Sequence, residues 1–147
     1  MFQRARFIAG LIGLGALCGS PAVAQVLKMD YQNNLMSGSL RSGAVDVSAQ
    51  QKRRINEDGS NVLQPVAVVR VSGIEVGRLV GAEKWGSWPD AVVQIAEMDR
   101  ENPYPEVLLS SFTGGMHCCK QIQVLTSDRS GKIWHEVTLG PFDGGSS

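Results

Sequence analysis

Apolar and polar residues alternate along most of the chain beyond Gln64, and this period of two predicts strand after strand joined by tight turns. Residues 66–71 and 74–80 flank Ser72-Gly73. A two-residue turn there sets Val71 against Ile74 and Val69 against Val76 on one face, with Arg70 against Glu75 on the other. Residues 81–90 contain Trp85, Trp88 and Pro89 and read as a loop whose tryptophans cover an edge of the core. Residues 91–98 place Ala91, Val93 and Ile95 on one face, and residues 99–105 form a polar, proline-containing turn. Residues 105–112 are apolar at both parities, as in a central strand covered on two sides. Residues 119–126 and 132–139 flank a Gly-ended loop, a last hairpin. Ile133, Val137 and Leu139 do not fall opposite Ile122 and Val124 in its simplest pairing, which predicts a bulge or a hairpin apolar on both faces.

Before Gln64 the pattern is weak. Residues 25–61 hold Gly38, Gly43, Gly59 and many Ser and Gln, and predict a weakly ordered N-terminal arm with one strand near residues 40–47. Lys52-Arg53-Arg54 is read as a solvated face, because Glu57 and Asp58 offset it.

The first residues follow a different logic. Arg4 and Arg6 precede an uninterrupted apolar and glycine run, residues 7–17, and then the small-residue triplet Ala22-Val23-Ala24. This order predicts a secretory signal peptide over residues 1–24, cut after Ala24. The run is shorter than the roughly 20 residues of a membrane-spanning helix, and no second candidate span follows. The Leu17-Cys18 junction fits a lipidation site poorly. The expected location is therefore the periplasm or the exterior. The expected fold is mainly β: a single antiparallel-sheet domain, sandwich or partial barrel, over residues 62–147, after the signal peptide and the 25–61 arm.

Composition narrows the function classes. The 147 residues carry 14 Lys+Arg and 14 Asp+Glu; losing Arg4 and Arg6 leaves 12 against 14, a net of −2. No excess of positive charge is available for nucleic-acid binding. A hydrophobic fraction of 43% argues against a disordered chain, and 17 glycines suit turn-rich β structure.

The stretch with chemical potential is Thr113-Gly-Gly-Met-His-Cys-Cys119. After export Cys118 and Cys119 have no third cysteine, so they form a vicinal disulfide or remain two thiols. A strained bridge of this kind is easily reduced, which keeps a thiol-redox role open. A Cu or Zn site would draw on His117, Cys118, Cys119 and His135, the other histidine of the chain. Adjacent cysteines on a strand point to opposite faces, so one ion reaches both only across a turn. A nucleophilic cysteine activated by His117 or His135 lacks an identifiable orienting acid. Asp99-Arg-Glu101-Asn102 resembles part of a calcium loop, but Pro103 and Tyr104 stand where further ligands are needed, so it is read as a capped turn.

Pro105-Glu-Val and Thr113-Gly-Gly-Met-His-Cys-Cys119 together resemble the P-E-V…T-G-G-x-H-C-C signature of uncharacterised secreted proteobacterial proteins. Residues 92–95, Val124-Leu-Thr-Ser-Asp128, Trp134 and Leu139-Gly-Pro-Phe-Asp-Gly-Gly145 extend the resemblance to about residues 66–145. It implies an exported protein and no established activity. The reading is thus an exported, non-enzymatic binding or structural domain without a cofactor and of unknown partners. The alternative is a periplasmic Cu/Zn or thiol-redox protein built on the His-Cys-Cys segment.

Overall fold

A computed structural model describes residues 24–30, 35–85, 91–113 and 119–142, with residues 84 and 85 described by backbone alone. Among these residues ten strands form: β1 (Gln25–Met29), β2 (Ser37–Ser42), β3 (Val45–Ile55), β4 (Asn61–Val71), β5 (Ile74–Val80), β6 (Lys84–Trp85), β7 (Ala91–Ala96), β8 (Glu106–Phe112), β9 (Lys120–Ser127) and β10 (Trp134–Phe142). They pair antiparallel into two sheets. One has the order β1-β7-β8-β9-β10; the other has the order β2-β3-β4-β5, with β6 paired to β4 beyond the end of β5. The sheets face each other across one apolar core, as the alternation predicts for a sandwich.

The core takes alternate residues from both sheets. Val45, Val47 and Ala49 of β3, with Ala67, Val69 and Val71 of β4, face Val93 and Ile95 of β7 and Val107 and Leu109 of β8. Burying a side chain such as Leu79 or Leu109 contributes about 1.5–3 kcal/mol. β8 lies third of five strands, the central position its two-sided apolar pattern predicts.

Residues 25–61 differ from the weakly ordered arm expected of them. They carry β1, β2 and β3, and Met29, Val45, Val47 and Ala49 are core residues. The reason is packing at close range. A Cβ on Gly38 would lie 2.7 Å from Leu27, so the glycine that weakens the pattern is what lets β2 approach β1. The single strand expected near residues 40–47 is instead a hairpin, turning at Gly43 with φ +57°. A boundary at 61/62 would cut the β3–β4 pairing, which runs from Ile55↔Asn61 to Val45↔Val71.

The Ser72-Gly73 turn forms as expected, with φ of 50° and 85°, the two positive values a type I′ turn needs. Val71 pairs Ile74 and Arg70 pairs Glu75, but Val69 pairs Gly77 rather than Val76. A bulge between Val69 and Arg70 causes the shift. It seats Gly77 where a Cβ would come within 2.6 Å of Leu125 on the facing sheet. The last hairpin pairs Val137 with Val124 and Leu139 with Ile122, and its bulge falls after Leu139. The mismatch expected of this hairpin is not observed: Val137 and Leu139 do fall opposite Val124 and Ile122, all on the outer face, while Leu125 faces the core. Trp88 and Pro89 lie outside the described residues.

Candidate functional site

The β8–β9 connection carries the sequence's reactive stretch. Its base is closed by Thr113, whose backbone N–H and hydroxyl both donate to the Cys119 carbonyl, at 2.9 and 3.1 Å. Cys119 is disulfide-bonded. His117, Cys118 and Cys18 lie outside the described residues. His135 does not join this stretch. It sits on β10 opposite Thr126, seven residues along β9 from Cys119, a separation of about 23 Å at strand rise. The β9–β10 register carries His135 to the other end of the strand from Cys119, while His117 and Cys118 of the expected set lie outside the described residues. Among the described residues no group of three or more His, Cys, Asp or Glu is placed to hold a metal ion.

The polar turn expected at residues 99–105 is self-capped. Asp99 Oδ1 accepts from the Glu101 N–H at 2.9 Å, and Asn102 Oδ1 accepts from the Tyr104 N–H at 3.2 Å. Sequence reasoning missed its anchor, Glu106, which is 2% exposed. Its carboxylate accepts from Asn102 Nδ2 at 2.6 Å, the Met98 N–H at 2.7 Å and the Thr126 hydroxyl at 3.1 Å. Burying a carboxylate is costly without such donors. An acid opening an apolar strand four residues after an asparagine was the available signal. Tyr104 stacks on Trp134 at 5.8 Å, and Arg129 pairs with Glu101, tying this turn to the β9–β10 loop.

The two outer faces differ. On the β2–β5 sheet outward charged side chains pair with one another near the β4–β5 turn, and Val68, Val66 and the exposed Val80 follow them on the same face. Arg41 Nη2 donates to Asp46 at 2.9 Å, Arg70 Nη1 to Ser48 at 3.1 Å, and Arg78 Nη2 to Glu75 at 3.1 Å. The Arg41 guanidinium holds the Asp46 carboxyl below its ordinary value, chiefly through this hydrogen bond. Ser39, Arg41, Asp46, Ser48 and Arg70 help line a shallow recess of about 340 Å³ there. Farther along, Lys52, Arg53 and Arg54 are exposed as expected, with Arg53 on Asn61 and Arg54 on Glu83.

The outer face of the five-stranded sheet carries two rows rich in apolar side chains. Register places Val26, Gln94, Leu108, Val124 and Val137 in one row across all five strands, and Lys28, Val92, Ser110, Ile122 and Leu139 in the next. Val26 is 58% exposed, Val137 45%, Leu139 43% and Phe142 47%. Exposed apolar surface gathered on one face marks an interaction surface. The face ends at β10, which pairs with β9 on one side and forms the sheet's edge on the other.

No protein-family model and no solved structure matches the chain. Two curated proteins are similar to it. The probable thylakoid lumen protein sll0997 of Synechocystis is 36% identical over 110 residues, 75% of this chain and 32% of that protein. The uncharacterized protein y4bJ of Sinorhizobium fredii is 33% identical over 67 residues, 46% of this chain and 10% of that protein. The chain thus spans about a third of one relative and a tenth of the other. Among the described residues no helix is long and apolar enough to cross a membrane.

Proposed function

We propose that this is an exported, non-enzymatic β-sandwich module that acts by binding, through the outer face of its five-stranded sheet. The observation that carries the reading is the pair of neighbouring rows that register sets across all five strands: Val26, Leu108, Val124 and Val137 with Gln94 in one, and Val92, Ile122 and Leu139 with Lys28 and Ser110 in the other. Export is supported by the order of residues 1–24 and by the lumenal name of the Synechocystis relative. The T-G-G-x-H-C-C resemblance to secreted proteins supports the same reading. A photo-crosslinking residue at Ile122, compared with one at Ser48, tests it in cells exporting the full chain. Adducts at Ile122 and not at Ser48 are expected. Equal yields, or none at either position, would contradict a binding role for this face.

The bonded state of Cys119 favours a structural bridge to Cys118 over a metal site. With Cys18 removed in the leader, Cys118 is the partner left within the chain. Alkylation of the exported protein before and after reduction, read by intact mass, checks this and the cut after Ala24 together. The bridge predicts no adduct before reduction and two after; two adducts before reduction would refute it.

A further inference from the structure

We infer that the edge strand β10 pairs with the β10 of a second copy, antiparallel about a two-fold axis at Val137. The inference goes beyond the binding role proposed for the outer face: pairing at the edge widens that face and leaves it open to a partner. Three observations carry it.

The other sheet edges bear charge: Lys28 on β1, Arg41 on β2, and Glu75 with Arg78 on β5. Such charges discourage edge-to-edge pairing. β10 has no Lys or Arg, and every residue from His135 to Phe142 is exposed. Its one acid, Glu136, accepts a hydrogen bond from Gln123 Nε2 at 2.7 Å. Backbone donors run unbroken from Trp134 to Gly140, and Pro141, which lacks one, lies just beyond.

β5 lies near β10 at one side of the sandwich. The sheet containing β5 ends there, and Glu136 and Thr138, which project to the inner side of β10, remain exposed. Two buried atoms on the inner side of β9, Gln123 Oε1 and Ser127 Oγ, have no hydrogen-bond partner among the described residues.

Strand pleating then selects the register. Outer residues must oppose outer ones, so the axis passes through a residue and not between two. At Glu136 it would set two carboxylates opposite each other. At Thr138 it would draw Pro141 into the pairing. At Val137 it sets Glu136 opposite Thr138 of the second copy and His135 opposite Leu139, the last residue before the bulge. The row through Val137 then continues across ten strands, while the Leu139 row meets the His135–Thr126 row of the second copy.

Sedimentation of the exported full chain over a wide concentration range tests this. Wild type is expected at twice the chain mass at high concentration. Val137→Lys sets like charges on the axis and is expected to weaken association at least tenfold. Thr138→Lys sets a cation opposite Glu136 and is expected to retain or tighten it. Both positions are exposed, and circular dichroism verifies that each variant folds. A wild type that stays monomeric, or dimers unaffected by Val137→Lys, would overturn the inference. Adducts at Ile122 to a different protein, with monomeric wild type, would place a foreign partner on the face and leave the binding role standing.

Discussion

The Asn102 side-chain amide donates to the buried Glu106 carboxylate at 2.6 Å, and one contact thereby fixes both the 97–105 turn and the start of the central strand. Asn102 also lies 3.3 Å from the Thr126 hydroxyl, so the link reaches β9. Removing the amide leaves a buried charge short of a donor. Asn102→Ala is expected to destabilise the fold by about 1–3 kcal/mol. Asn102→Asp is expected to cost more, because it sets a second carboxyl against Glu106. Urea denaturation of the three proteins measures both effects.

The core predicts a second result. Leu109 is fully buried in the central strand between the two sheets. Truncation there removes apolar contact and leaves a cavity. Leu109→Ala is expected to lower stability by about 2–5 kcal/mol. Val137→Ala, on the exposed edge, is expected to change the stability of the monomer by less than about 0.5 kcal/mol. Thermal unfolding at low protein concentration compares them.

Ser72 holds φ +50° in the turn between β4 and β5, a region costly for most side chains and less so for asparagine. Ser72→Asn is therefore expected to stabilise by up to about 1 kcal/mol. Gly73, at φ +85°, is expected to lose at least as much as Gly73→Val. Chemical denaturation midpoints report both signs.

Acid should weaken the β9–β10 loop in a defined direction. The Ser130 hydroxyl, with the Ile133 and Lys132 N–H groups, holds the Asp128 carboxyl below its ordinary 3.8. A carboxyl lowered by folding stabilises above its unfolded value, and that contribution is lost as pH falls through the folded one. Wild type is expected to lose stability as pH drops from about 5 to 3, and Asp128→Asn to lose less over the same range. Denaturation midpoints across that range check the sign. Asp46, lowered by Arg41, and Asp58, lowered by the Ser60 hydroxyl, add to the wild-type slope in the same direction.

Much of the sandwich was legible because its strands announce themselves by alternation. Val66 to Val71, Ala91 to Ile95 and Val107 to Leu109 carry one buried face each, and the Ser72-Gly73 turn left little choice of pairing. The N-terminal strands were not legible, because Gly38 and Ala49 contribute closeness and not bulk; β2 is held by its ladder to β3 and packs through Gly38 against Leu27 of β1. The bulge at Val69 was invisible for a similar reason: it exists so that Gly77 can clear Leu125, a contact between sheets. At the candidate sites the sequence supplied residue types but not distances. His135 looked available to the cysteines until register placed it opposite Thr126. Glu106 passed as an ordinary polar position because its partners, Asn102 and Thr126, come from two other segments.

Covalent footprinting with a photoactivated carbene tests the central claim most directly, comparing the exported protein in cells with the purified chain at high dilution. Leu108, Ile122, Val137 and Leu139 are expected to lose labelling in cells, while Ser39, Arg41 and Ser48 on the opposite sheet label equally in both settings. Equal labelling of the apolar rows in both settings would contradict it.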